Sequence, residues 1–230
     1  MDLAENFNKF WTILVNCFFR LLYHQFSFMY DWIAAIVSGG KWIEWVMESR
    51  NFIIGEPILE IGFGPGHLQQ YYLQNRNQIF GLDESSFMCR LAKKRLQRKE
   101  LNTQNSGLCR GIAQQLPYAD HSFSTVVMTF PTQYALDEET IGECWRVLRS
   151  EGKIVILLAV RYGGNSLYKR WIRWLFGVTH QSPGNENLLA LWIKHYEAKG
   201  FCASSQWYSH GEDRLLFILA EKKSTPFANG

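Results

Sequence analysis

Little in this sequence would cross-link, anchor or coat. The five cysteines, Cys17, Cys89, Cys109, Cys144 and Cys202, are scattered, odd in number and include no Cys-x-x-Cys pair. That argues against a disulfide framework and against any metal site of the zinc type, and it suits a reducing cytoplasm. No stretch reaches the ~18 uninterrupted apolar residues that a membrane span needs; Arg20, His24 and Asp31 break the best candidate. Asp2 and Glu5 precede the first apolar stretch and no small-residue cleavage site follows, so a secretory signal is not expected. Lys and Arg number 24 against 21 Asp and Glu, a surplus too small for a protein that coats nucleic acid. Internal repeats, low-complexity tracts and long linkers are missing too, which favours one structural domain.

What the chain has in quantity is apolar and aromatic material. Its 230 residues are 47% hydrophobic and 20% charged, enough to bury a full core and offset the conformational entropy of folding. Aromatics reach 15%, and the nine tryptophans are unevenly placed. Only Trp145 falls within 51–160, while Trp11, Trp32, Trp42 and Trp45 precede that stretch and Trp171, Trp174, Trp192 and Trp207 follow it. Over 6–37, Phe7, Phe10, Trp11, Leu14, Phe18, Leu21, Leu22, Phe26, Met29 and Ile33 recur at helical spacing, with a polar stripe opposite. Gly39 and Gly40 punctuate, and a second amphipathic stretch spans 41–48. Residues 1–50 therefore read as an N-terminal helical cap.

From residue 57 short apolar runs alternate with helical segments. Runs at 58–61, 79–82, 125–129 and 154–158 have the length and composition of buried strands, and 67–76, 86–100 and 137–148 have helical spacing. Such alternation predicts an α/β fold with a parallel sheet covered on both faces. A late helix over 187–199 and an edge hairpin over 201–207 and 214–220 complete the reading.

The strongest chemical signal is Ile58-Leu59-Glu60-Ile61-Gly62-Phe63-Gly64-Pro65-Gly66-His67, a buried strand running into a glycine turn and then a helix. Alternate glycines let the backbone turn tightly and approach a ligand that side chains would push away. A carboxylate at Glu60, at the end of a buried strand, is costly unless something positive meets it. Asp83 ends the next apolar run, about 20 positions after the turn, the spacing at which a carboxylate accepts hydrogen bonds from ribose hydroxyls. The third glycine lies two positions after the second, not three as in the dinucleotide fingerprint, so the turn suits a ligand without phosphates.

Together these residues resemble the class I S-adenosylmethionine-dependent methyltransferases, in the branch of small-molecule and quinone-biosynthesis enzymes. Glu60 with Gly62, Gly64 and Gly66 matches the family's first motif, which holds the methionine end of the cofactor. Asp83, followed by Glu84, Ser85 and Met88, matches the second, whose aspartate binds the ribose and whose later apolar residue packs beside adenine. The stretches 111–118, with Ile112 and Ala113, and 122–127 resemble the segment that closes the adenine pocket and enters the fourth strand, at whose end stands Thr129. Arg146 to Lys153 looks like the family's turn into the fifth strand, and Tyr30-Asp31 resembles the place where a lid-helix tyrosine reaches the methionine carboxylate. Two positions depart from the pattern: Ile112 stands where an adenine-binding aspartate is usual, and Ser124 where an aspartate often follows the phenylalanine. The backbone at Ala113 or the side chain of Gln114 could supply the missing hydrogen bond.

The resemblance implies a Rossmann-like, doubly wound, seven-stranded, mostly parallel sheet with an antiparallel last strand. Its core would span 51–230, with a substrate-lid insertion around 161–186. It implies S-adenosylmethionine as cofactor, S-adenosylhomocysteine as product, and in-line methyl transfer. A general base is needed only if the acceptor loses a proton; Tyr134 and His180 are the candidates. No proline is followed by cysteine, and Thr129-Phe130-Pro131-Thr132 lacks the Asn/Asp-Pro-Pro-aromatic pattern, so the two commonest base-methylating arrangements are absent. The basic run Arg90, Lys93, Lys94, Arg95, Arg98 and Lys99 reads as a solvated helix face rather than an RNA track. Tyr168 to Phe176 interleaves cations with aromatics and aliphatics, and with 6–37 the segment 167–178 suits peripheral membrane contact or an apolar acceptor. The expected acceptor is therefore small and lipophilic or aromatic; the competing readings are an RNA or protein methyltransferase and a cofactor-binding module without transferase activity.

Overall fold

The computed structural model describes residues 40–99, 101, 106–164 and 186–223. Residues 6–37 and 167–178, most of the expected cap and lid, and the candidates Tyr30 and His180 lie outside the described residues.

Seven strands form one sheet: β1 (Ile58–Ile61), β2 (Ile79–Asp83), β3 (Ser106–Arg110), β4 (Phe123–Thr129), β5 (Leu148–Arg161), β6 (Phe201–His210) and β7 (Asp213–Lys222). Their order is β3-β2-β1-β4-β5-β7-β6. The first five are parallel, and β7 runs antiparallel between β5 and β6. Among the described residues five α-helices accompany them: α1 (Trp42–Glu48), α2 (His67–Gln74), α3 (Ser86–Arg98), α4 (Glu138–Val147) and α5 (Glu186–Ala198).

Alternation along each strand divides the core. Leu59, Ile61, Val126, Met128, Ile154, Ile156 and Ile218 pack with Ile141 and Cys144 of α4 and Trp192 and Tyr196 of α5. Ile58, Val127, Val155, Leu157, Leu215 and Phe217 point the other way, against Trp45 and Val46 of α1, Leu68 and Tyr72 of α2 and Leu96 of α3. Helices therefore cover both faces, as a parallel sheet with apolar strands on both sides requires. Glu60 has the parity of Ile58 and faces α2.

Three expectations are adjusted. The strand expected at 154–158 spans Leu148–Arg161, because its polar start pairs Leu148 with Phe123 of β4. The hairpin is not wholly at the edge: apolar β7 slots inside, while β6, with Ser204, Ser205 and Gln206 exposed, forms the border. The third strand, which no apolar run announced, is Ser106–Arg110 at the opposite border. Among the described residues no helix is long and apolar enough to cross a membrane and no cluster of His, Cys, Asp or Glu could hold a metal.

Candidate functional site

Strands β1 and β2 end side by side, and the chain leaving β1 reverses into α2 through Gly62, Gly64 and Gly66 at φ +73°, +52° and +78°. Asp83, at the end of β2, clamps this turn. Its Oδ2 accepts the Gly64 N–H at 2.8 Å and its Oδ1 the Ser85 N–H at 2.8 Å. One carboxylate thus ties the turn after β1 to the turn after β2. Burial raises its carboxyl above the ordinary range, and the two N–H bonds pull it back. A carboxylate offers about four lone-pair sites, so two remain for hydroxyl donors.

Glu60, one residue before the end of β1, is 2% exposed. Burial pushes its carboxyl up to about 8; the Gln69 hydrogen bond opposes this, and the nearby charge of Asp83 adds to it. Among the described residues no ion pair reaches Glu60. Beside it lies a cavity of about 40 Å³, walled by Glu60, Gly62, Gly64, His67 and Thr129 and closed by Trp42 and Val46 of α1. At the start of α2, His67 is held down to about 4 by burial, with Arg95 pushing the same way, so its imidazole is neutral at physiological pH. Arg95 in turn donates to Pro65 O at 2.8 Å, fastening α3 to the turn.

The next wall is aromatic. Phe130, directly after β4 at φ +49°, donates its N–H to Leu157 O at 2.7 Å and stacks on Trp42 with centroids 4.1 Å apart. Tyr134, in the short turn Gln133–Leu136, donates its hydroxyl to Ile61 O at 3.3 Å and so sits over the turn after β1.

On the far side of Asp83 the loop after β3 is drawn in by Gly111 N–H donating to Asp83 O at 3.1 Å. Ala113 is buried there, and Ile112 is an apolar side chain left 46% exposed. Arg146 of α4 fixes this loop, donating to Tyr118 O at 2.7 Å and Leu116 O at 3.0 Å while pairing with Asp120 and Glu143. Gln114 spends its amide N–H on Asp137 at 2.7 Å. Met88 is buried behind the Ser85 N-cap, and Glu84 is exposed. Ser124 lies at the start of β4, bonded to Glu56 O at 2.8 Å, at the end of the strand away from the turn.

Of the expected site residues, Glu60, Gly62, Gly64 and Thr129 line the cavity, Asp83 and Tyr134 are bonded to the turn through Gly64 N and Ile61 O, and Glu84, Met88, Ile112 and Ala113 lie on the far side of Asp83. No motif in the sequence marks Trp42, Val46, Gln69, Phe130 or His67 as part of a site. His67 follows the third glycine directly, a place from which a side chain can face the turn; nothing in the local pattern singled out the others.

Residues 59–156 match the family described as a methyltransferase domain. The chain is 31% identical over 142 residues to a demethylmenaquinone methyltransferase of Thermotoga maritima, covering 59% of each. It is 27% identical over 143 residues to a ubiquinone/menaquinone biosynthesis C-methyltransferase of Legionella pneumophila, covering 59% of this chain and 57% of that one. The matches thus span about three fifths of those relatives. Among solved structures, the Haemonchus contortus phosphoethanolamine N-methyltransferase 2 with S-adenosylhomocysteine aligns at a TM-score of 0.61 and 17% identity, over 89% of this chain and 59% of that one. A S-adenosylmethionine-dependent methyltransferase of Methanosarcina mazei aligns at 0.54 and 21%, over 76% and 97%. These likenesses show the fold. The matched family segment runs from β1 into β5 and contains the glycine turn, the Asp83 clamp and the Arg146-held loop, so residues 59–156 match a methyltransferase domain and the chain is similar to S-adenosylmethionine-dependent methyltransferases.

Proposed function

We propose that this chain transfers a methyl group from S-adenosylmethionine to a small lipophilic or aromatic acceptor. The observation that carries the reading is Glu60. A nearly inaccessible carboxyl beside an open glycine turn, with no cation among the described residues to meet it, calls for a cationic ligand.

The residues present fit S-adenosylmethionine. A Cβ placed on Gly64 would meet no atom within 4 Å, so the backbone there is open to close approach. Glu60 suits an ammonium, the two free lone-pair sites of Asp83 suit ribose hydroxyls, and exposed Ile112, next to buried Ala113 and across Asp83 from buried Met88, offers apolar surface to a purine. When bound, the cofactor supplies a methyl group already activated by its sulfonium. The protein's own task is to orient and to exclude water. Neutral His67 adds no positive charge to repel a sulfonium, and the Trp42–Phe130 stack keeps an apolar wall beside Thr129. Tyr134 and His180 remain the candidates for a group facing the acceptor.

Support for an apolar acceptor comes from that aromatic wall and from relatives named for menaquinone and ubiquinone biosynthesis. We extend the reading to peripheral membrane contact through 6–37 and 167–178, which vesicle flotation of the full chain tests. The activity itself is tested by a radiolabelled methyl-transfer survey over quinone, phenol, fatty-acid, RNA and protein pools, beside calorimetry with the cofactor. Label entering a quinone or phenol pool supports the proposal; label confined to RNA or protein moves the acceptor class. Tight cofactor binding with no pool labelled leaves a binding module.

A further inference from the structure

We propose that Glu60 and Gln69 form a proton-holding pair: without ligand Glu60 is a carboxylic acid shared with the Gln69 amide, and a cationic ligand enters by displacing that proton. The inference rests on the cofactor reading above for the identity of the ligand, but the pair itself stands on the contacts of the two side chains.

Gln69 is fully buried, and its Nε2 donates to Glu60 Oε2 at 2.9 Å and to Phe80 O at 3.1 Å, so both amide hydrogens are spent. Its Oε1 is buried without any partner. Ionised Glu60 carries acceptors alone and cannot serve that oxygen. A protonated carboxyl brings one O–H donor, the group that is missing, and acid and primary amide can then exchange N–H···O and O–H···O bonds. The juxtaposition is built in from β2 as well: a side chain at Gly81 would come within 2.9 Å of Gln69 Nε2.

The charged and titratable surroundings agree. From β2 Asp83 contributes negative charge, and from α2 His67 and Tyr72 stand in their neutral forms, burial holding the imidazole down to about 4 and the phenol up to about 12. From α3 Arg95 spends its Nε on Pro65 O. On α1, Trp42 and Val46 carry no charge. Entry of the cation balances as carboxylic acid plus cation giving carboxylate–cation pair plus a proton passed to solvent. The ammonium's N–H donors replace the O–H that is lost.

Two measurements test this on the intact chain. Titrating S-adenosylmethionine calorimetrically at pH 7 in buffers of different ionisation enthalpy should show net proton release that diminishes as the pH rises past 8, where Glu60 is already ionised and the ligand's own amine begins to need a proton. Infrared difference spectra of the ligand-free protein should show a protonated-carboxyl band at pH 7 that Glu60→Gln removes. In Gln69→Met the same band should move to the position of an acid lacking an acceptor. No such band in the ligand-free protein, or binding without proton release, overturns the pair. If S-adenosylmethionine does not bind, the functional reading falls, and the infrared bands still decide the pair.

Discussion

Replacing Gly64 and Gly66 one at a time by alanine separates the ligand-facing half of the turn from its structural half. Both residues hold left-handed backbone, φ +52° and +78°, so each alanine carries a penalty of about 1–2 kcal/mol, partly offset by a stiffer unfolded chain. Their surroundings then differ. A Cβ at Gly64 meets nothing within 4 Å, whereas one at Gly66 lies 2.8 Å from Ala92 Cβ and 3.3 Å from Ala92 Cα. Ala92 is a buried residue of α3 that has no rotamer by which to retreat, and overpacking of this kind adds about 1–3 kcal/mol. Gly64→Ala should therefore cost about 1 kcal/mol and Gly66→Ala about 3 kcal/mol, or ~3 °C against ~9 °C in melting temperature for a chain of this size. Calorimetric affinity for S-adenosylhomocysteine should rank them differently. The Gly64 methyl occupies space left for the ligand and should weaken binding at least ~100-fold despite its mild effect on folding, the equivalent of about 2.7 kcal/mol. Wild-type affinity in a folded Gly64→Ala protein would refute the placement of the ligand over that residue. A greater stability loss at Gly64 than at Gly66 would refute the contact argument.

Three further outcomes are expected. The Glu60 carboxyl titrates near 8 in the fold against 4.5 in the unfolded chain, so between those values the folded state binds more protons. Its contribution to ligand-free stability therefore falls as pH rises through that window, by up to about 1.4 kcal/mol per pH unit. Denaturant midpoints from pH 5 to 9 should accordingly show a flatter profile for Glu60→Gln than for wild type. Arg146→Leu deprives Leu116 O and Tyr118 O of charged donors and should cost about 2 kcal/mol by guanidinium unfolding. The same variant should weaken cofactor binding by loosening the loop that carries Ile112 and Ala113. Tyr134→Phe loses one 3.3 Å hydrogen bond and should leave cofactor affinity within about fivefold of wild type. A larger loss, read by calorimetry, would move Tyr134 from the acceptor side to the cofactor side.

The parts of the fold legible in the sequence were those where burial on both faces leaves an unbroken apolar run. β1 and β4 lie in the middle of the sheet and read directly. β3 did not, because a border strand with one neighbour tolerates Ser106, Gly107 and Arg110. The inner place of β7 was written in Leu215 to Ile218, all essentially inaccessible, against the polar alternation of β6. At the site, the turn glycines and Asp83 were legible because backbone geometry and chain spacing constrain them. Gln69 was not: which helical residue meets Glu60 depends on how α2 packs on β1 and β2, and a glutamine in a helix gives no local sign of burial. Trp42 was visible as part of an amphipathic stretch, but its stacking on Phe130 joins residues 88 positions apart.

The position of β7 also sets an order of events during synthesis. Strands β1 to β4 have all been made once Thr129 leaves the ribosome, so the glycine turn and the Asp83 clamp can assemble early. The outer border of β5 has no such early partner. Its residues from Lys153 to Arg161 wait for Arg214 to Glu221, after the whole of β6 has been produced. Until then Ile154 to Leu157 lie on an unpaired edge, the kind of surface that recruits other chains. A nascent chain can thus possess its glycine turn while still being prone to aggregate, and β7 removes that hazard when it pairs with β5.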